Sequence, residues 1–425
     1  MDVFRNLLGI FAFIGLCWLF SKKKSAISWR LVAGGLGLQF LFAVLLLKVP
    51  LVEQAMTSCS IFFVTLTSFS TDGAKFVFGE LATEKLYGFG FSILPSILFF
   101  SALSSILYYL GVLQRVVYGL AWLMRRTMKL SGAECLAAAA NVFVGQTEAP
   151  LLVRPYLDKM TRSEILCLMT GGFATIAGGV FAAYVSFLGG DDPSSKAIFA
   201  KHLMTASLMS APAAIVCAKI LLPETKQVDE RLKLGKGDVG TNLFDAAAKG
   251  TSQGLLLAFN VGAILIVFTA LVALLNYFAK DMIGEWTGLN AIITEATNGD
   301  FDGLTLQYVL GFIFAPFAWL VGVASEDVTL VGQLLGEKLV LNEFFAYQHL
   351  GEFRDTKIIT DERTLAVTAY ALCGFANFAS VGIQVAGIAI LAPKQRENLA
   401  TLAWRALLGG TIACLMTASV AGLLL

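Results

Sequence analysis

Two carboxylates stand out by the company they keep. Glu148 sits in "NVFVGQTEAP", residues 141–150, where Asn, Gln, Thr and Glu fall within eight residues of one another in otherwise apolar chain. Glu343 sits in "NEFFAY", residues 342–347, inside a second apolar stretch. An ionisable group at membrane depth is costly and is therefore a functional hypothesis by default. Two fixed acceptors facing one cavity suit a ligand rich in hydroxyl and N–H donors, and suit an anion poorly. The structural alternative is a local ion pair, Glu148 with Arg154 and Glu343 with Lys338.

A second group of residues offers oxygen to a small cation. A half-helix that starts beside an unwound helix exposes free carbonyls, and Asn141, Val144, Thr175 and Ile176 cluster at two such breaks. The structural alternative is that Asn141 and Thr175 only cap broken helices.

The elements that must position these residues are membrane helices. Of the 425 residues, 57% are hydrophobic and 14% charged, which is too apolar for a soluble domain of this length. Apolar segments of about 20 residues recur, the length that crosses a hydrocarbon core about 30 Å thick. Short alternating strand patterns do not recur, so a helical bundle follows.

Hydropathy places crossings near 3–21, 29–48, 90–111, 163–188, 200–222, 252–278, 363–391 and 402–424. The first ends at "SKKKSAIS" without a small-residue cleavage signal and reads as a membrane helix, not a leader. Lys22, Lys23, Lys24 and Arg30, then Arg115, Arg125, Arg126 and Lys129, then Lys226, Arg231, Lys233 and Lys236, then Lys394, Arg396 and Arg405 occupy alternate connections. Those connections are expected to be cytoplasmic, with both termini outside.

Two apolar regions do not fit this count: 132–160, broken at "GQTEAP", and 307–350, broken at "GVASED". Each reads as two short helices meeting at a tip inside the membrane, which is tolerated only where backbone is buried in protein or lines a watery cavity. The helix after each is itself interrupted, at "GGFATIAGG" (171–179) and "CGFANFAS" (373–380). A hairpin followed by a broken helix, once in each half, is the layout of an inverted-repeat transporter with its site at the midplane. Segments near 52–80, 116–130 and 239–250 read as interfacial, and 224–240 and 281–303 as loops.

Other chemistry lacks its parts. Only His202 and His349 are histidines, and no HExxH, GxSxG or Walker lysine motif is present. "GKGDVG" (235–240) follows no strand and lies in a charged loop. Seven scattered cysteines have no CxxC spacing. A near-zero net charge gives no footprint for nucleic acid. An enzyme using Glu148 and Glu343 as an acid/base pair lacks a nucleophile and a metal set, so no enzyme and no cofactor is expected.

With these residues in view, the chain resembles the concentrative nucleoside transporter family, and its bacterial sodium-coupled members closely. "GQTEAPLLVRPYL" (145–157), "GEKLVLNEFFAY" (336–347) and "ALCGFANFASVGIQ" (371–384) carry the resemblance, in order along nearly the whole chain. The resemblance implies eight transmembrane helices with two re-entrant hairpins, and nucleobase binding by Gln146, Thr147 and Glu148, with Val180 and Phe375 beside the ring. It assigns the ribose hydroxyls to Glu343, Asn377 and Ser380, and a sodium ion to Asn141, Val144, Thr175 and Ile176.

It further implies a homotrimer in a bacterial inner membrane, importing nucleosides such as uridine and cytidine, with adenosine a further candidate, by elevator motion coupled to sodium. The expected division takes 1–115 as scaffold, 116–250 as the first half of a transport unit, 251–280 as a scaffold helix and 281–425 as the second half. Proton coupling through Glu148 or Glu343 is the rival reading.

Overall fold

The computed structural model describes residues 2–82, 89–232 and 240–425. Lys233, Lys236 and most of "GKGDVG" lie outside the described residues. The described elements are helices: α1 (Asp2–Leu19), α2 (Trp29–Lys48), α3 (Pro50–Phe78), α4 (Leu94–Tyr109), α5 (Val112–Met128), α6 (Gly132–Asn141), α7 (Ala149–Leu152), α8 (Arg154–Leu157), α9 (Arg162–Ala174) and α10 (Gly178–Gly189). The second half adds α11 (Pro193–Leu221), α12 (Leu243–Asn276), α13 (Glu285–Thr287), α14 (Leu289–Ala296), α15 (Leu306–Leu320), α16 (Val328–Val340), α17 (Glu343–Asp355), α18 (Glu362–Leu372), α19 (Phe378–Leu391) and α20 (Arg396–Gly422).

Among the described residues six helical stretches are long and apolar enough to cross a membrane, and the shorter α1 and the α18–α19 pair complete eight crossings. α9 and α10 together make one of the six, interrupted at 175–177.

Hydrogen bonds identify the two ends of the bundle. At one end, Lys22 N donates to Leu221 O, and Arg162 donates to Asn398 and Thr401, so the α1–α2 turn, the end of α11 and the starts of α9 and α20 meet. At the other, Arg363 donates to Gly322 O and Gly422 O, and Arg5 to Trp319 O and Val323 O. Both chain termini therefore lie at this second end.

From the first end, α6 rises ten residues, about 15 Å at 1.5 Å per residue, which is half of a hydrocarbon core. The chain turns at 142–148 and comes back through α7 and α8, where Gln395 Nε2 donates to Leu157 O and Met160 O. From the second end, α16 descends 13 residues, turns at Leu341–Asn342 and returns as α17. The two hairpins thus enter from opposite ends, and the broken helices α9–α10 and α18–α19 run in opposite directions between them.

The second hairpin is not where hydropathy puts it. "GVASED" forms the turn between α15 and α16 at the second end of the bundle, with Gly322 at φ +84° and its carbonyl held by Arg363. The tip at depth is Leu341–Asn342. A polar run marks a solvent-side turn here, whereas the buried tip needs only one residue, Asn342, whose side chain caps α17 by accepting from Phe345 N at 3.0 Å.

Two smaller expectations also change: 243–250 is the first part of the long α12, and 281–303 contains α13 and α14.

α12 packs along α4 through glycines. A methyl added at Gly254 would stand 2.9 Å from Leu98 Cα, and one at Gly250 would stand 2.8 Å from Ala102 Cα, so only glycine allows this approach. α1 and α2 pack instead on the main bundle: Gln39 Nε2 donates to Thr417 at 3.1 Å, and Gly35 abuts Val216.

Candidate functional site

Ser131 and Glu134 form a reciprocal cap on α6, and Thr161 and Glu164 form the same cap on α9, which fixes both helices where they leave the first end. At the tip, Glu148 stands at the cap position of α7, and its Oε2 accepts from Gly145 N at 3.1 Å. No side chain caps α7, that of Thr147 included, and the tip closes on Gly145 instead. Gly178 N donates to Phe143 O at 3.1 Å, tying the tip to the start of α10.

Thr175 to Ala177 are extended, and Thr175 Oγ1 donates back to Gly171 O at 2.9 Å. Asn141 is 1% exposed, yet neither atom of its amide has a partner. It lies against Gly171, where an added methyl would be 3.0 Å from its Nδ2. Thr175, Ile176 and Val144 are buried as well. An orphaned buried amide oxygen and a hydroxyl beside extended backbone are oxygen donors of the kind a sodium ion takes.

In the second half, Glu343 opens α17. Its Oε1 accepts from the Tyr184 hydroxyl at 2.9 Å and its Oε2 from Asn377 Nδ2 at 2.8 Å. Asn377 caps α19, its Oδ1 accepting from Ser380 N at 2.8 Å. Gly374 has φ +102°, and a methyl there would fall 2.5 Å from Phe173 O, so the break can close against α9 only through glycine.

The ion-pair alternative does not describe either carboxylate. Lys338 Nζ donates to Ala371 O and Cys373 O at 3.0 and 3.1 Å, satisfying carbonyls freed where α18 ends. Among the described residues no ion pair joins Arg154, which is exposed, to Glu148.

One cavity of about 450 Å³ lies between the hairpin tips, the broken helices and α12. Gln146, Thr147, Glu148 and Val180 line one side, and Glu343, Phe375, Asn377 and Ser380 the other. All eight residues singled out for base and ribose thus share one space. Leu257, Asn260, Val261 and Ile264 of α12 close it.

Sequence reasoning missed Tyr184, which is fully buried and stacks on Tyr347 with ring centroids 4.6 Å apart. Its spacing of four from Val180 puts both on one face of α10, a signal that was available. Gln253 and Asn260 carried none, since α12 reads as plain apolar span.

Comparison with known proteins agrees with this architecture. Residues 8–81 match the family described as Na+ dependent nucleoside transporter N-terminus, 202–422 its C-terminus counterpart, and 90–191 a nucleoside recognition family. An uncharacterized transporter of Haemophilus influenzae is 40% identical, over 100% of this chain and 98% of its own. The rat solute carrier family 28 member 3 is 40% identical and the mouse sodium/nucleoside cotransporter 1 is 39% identical; each covers 98% of this chain, which spans 58% and 63% of theirs.

Among solved structures, CNTnw in an inward-facing substrate-bound state superposes with a TM-score of 0.89 at 37% identity, covering 100% of this chain and 98% of its own. A doubly substituted CNTnw in an outward-facing state gives 0.87 at 35% identity, with the same coverage. Hairpins of opposite entry, paired broken helices and matches along the whole chain lead to one assignment: this protein is a multi-pass membrane transporter, and belongs to the concentrative, Na+ dependent nucleoside transporter family.

Proposed function

We propose that this chain is a sodium-coupled symporter that imports nucleosides, pyrimidine nucleosides such as uridine and cytidine above all, with adenosine a further substrate. The observation that carries the reading is the 450 Å³ cavity in which the Gln146–Glu148 tip faces the Glu343–Asn377–Ser380 group. The first group offers hydrogen bonds to a base edge, and Phe375 an apolar face for its ring. Glu343 can accept from both vicinal hydroxyls of ribose. A substrate lacking one hydroxyl leaves a buried acceptor unpaired, a loss of about 1–3 kcal/mol.

Sodium held by Asn141 and Thr175 with the Val144 and Ile176 carbonyls would bind beside the nucleoside, since Gln146 to Glu148 follow the same tip. One inward positive charge is worth about 2.3 kcal/mol per 100 mV, roughly 50-fold in accumulation.

We further propose elevator motion of the hairpins and broken helices against α4 and α12. The packing of α1 and α2 on α11 and α20 supports grouping them with the moving bundle, and not with a scaffold over 1–115. The working assembly is a homotrimer in a bacterial inner membrane, with both termini outward.

The test is radiolabelled uridine uptake into proteoliposomes under an inward sodium gradient, then with choline for sodium at constant pH. Uptake that requires sodium is expected. Uptake driven by a proton gradient alone would move coupling to a carboxylate.

A further inference from the structure

Gln384 closes the run "ALCGFANFASVGIQ" and has no part in the site described above. It lies on α19 one turn beyond Ser380, which lines the cavity, and is itself 1% exposed. A glutamine amide carries two N–H donors and an acceptor oxygen, all of which want partners at such depth. One donor is accounted for: Nε2 donates to Met169 O on α9 at 3.0 Å. Because that carbonyl can only accept, it fixes which way round the Gln384 amide stands, and the oxygen is left without a donor.

The second N–H of Gln384 has Gln146 for a neighbour. A methyl added at Gly172 of α9 would stand 2.4 Å from Gln384 Nε2 and 2.9 Å from Gln146 Cβ, so the two side chains converge on one spot that only glycine leaves open. Three residues further along α19, a methyl at Gly387 would stand 3.2 Å from Thr147 Cγ2. The tip of the first hairpin therefore rests on the face of α19 that carries residues 380, 384 and 387.

Gln146 is 8% exposed, and its Oε1 is buried without a donor. A buried acceptor without a donor is costly, and the nearby Gln384 nitrogen has one hydrogen to spare. Rotation of the Gln146 amide joins the two.

We propose that Gln384 is a positioning residue for nucleobase recognition: its second N–H takes the inward oxygen of Gln146 and holds the Gln146 NH₂ toward the substrate. The inference rests on the base-reading role of Gln146 proposed above. An amide free to turn over offers a donor or an acceptor with similar ease and discriminates weakly between base edges. One locked with its oxygen inward offers donors only. Beside Glu148, an acceptor, it then matches an edge on which a carbonyl adjoins an N–H, as in uracil. Since α19 also carries Asn377 and Ser380, a single helix sets both the ribose and the base half of the cavity.

The test measures KM for uridine, 2-thiouridine, 4-thiouridine and 2′-deoxyuridine uptake in proteoliposomes bearing wild type, Gln384→Met, Gln146→Ala or the double variant. Sulfur is a poor acceptor, so the larger thio-to-oxo KM ratio reports the donor from Gln146, and the deoxy ratio reports the ribose site. Gln384→Met should lower the base ratio about fivefold and leave the ribose ratio within about twofold of wild type. The double variant should discriminate between bases no worse than Gln146→Ala alone, because Gln384 acts through Gln146. An unchanged base ratio in Gln384→Met overturns the proposal, as does an equal fall in both ratios, which a merely structural role would give, or a further loss in the double variant. Gln146→Ala that discriminates as wild type overturns the base-reading role itself, a distinct result. Should Gln384→Met not be stabilised by uridine in detergent, Gln384→Leu takes its place, and failure of both to fold would make Gln384 a core residue and overturn the proposal.

Discussion

Glu343 and Asn377 lie 34 positions apart in sequence and meet at 2.8 Å, each at the first turn of a helix that begins at mid-depth in the bundle. One donates its amide to the other's carboxylate, while Tyr184 donates to the second carboxylate oxygen. Glu343 is thereby held in place with lone pairs left for a ligand, which is the requirement for reading a vicinal diol.

Replacing Glu343 by Gln keeps the shape and removes the charge. Charge-assisted hydrogen bonds are worth about 1.5–3 kcal/mol, so the KM for uridine should rise roughly 10- to 150-fold. The preference for uridine over 2′-deoxyuridine should shrink in the same variant. Uptake kinetics with both substrates check this; a near-normal KM would remove Glu343 from the ribose site.

Asn141→Ala removes the one side-chain amide of the cage. Sodium needed for half-maximal uptake should rise several-fold, by the loss of about 1 kcal/mol or more for one oxygen ligand. The nucleoside KM measured at saturating sodium should change little. A sodium curve that superposes on wild type would leave Asn141 a helix-end residue only.

Gly374 is required by its backbone. At φ +102° and with Phe173 O in the way, alanine must strain or displace the α9–α18 contact. A cost of about 1–3 kcal/mol is expected, read as a lower melting temperature and lost uptake. Gly73, beside which nothing lies within 4 Å, is the matched control and should tolerate alanine.

Asp327 sits in the α15–α16 turn, outside the spanning helices. Burial first, and then the neighbouring Glu326, push its carboxyl up from 3.8 to about 6. A carboxyl raised in the folded state favours the protonated form. Its stabilising effect is therefore full below about pH 4 and is lost as pH climbs through about 6. Thermal melting between pH 4.5 and 7 should show this loss in wild type, and Asp327→Asn should flatten it. An identical slope in both proteins would assign the effect to another group.

The eight crossings, the first hairpin and both breaks were legible in the chain because each follows from local physics. Lipid demands about 20 apolar residues per crossing, and an interruption by Gly, Thr or Asn in such a run has to be housed in protein. Glu148 and Glu343 stood out for the same reason, since a carboxylate in apolar chain is costly, although the choice between a ligand site and a local ion pair stayed open in the sequence.

The second hairpin was not legible. "GVASED" advertises a break, but Arg5 and Arg363, from α1 and α18, hold that turn at the end of the bundle, and nothing local reports on them. The real tip shows only Leu341–Asn342. Lys338 likewise looked like a partner for Glu343, five residues on, until α18 brought two freed carbonyls to it. Sequence by itself determined which residues are too polar to be idle in a membrane. Which of them share a cavity, which serve each other and which satisfy broken backbone was decided by the tertiary structure, because hydrogen bonds act over 3 Å and the chain brings those atoms together from positions tens to hundreds of residues apart.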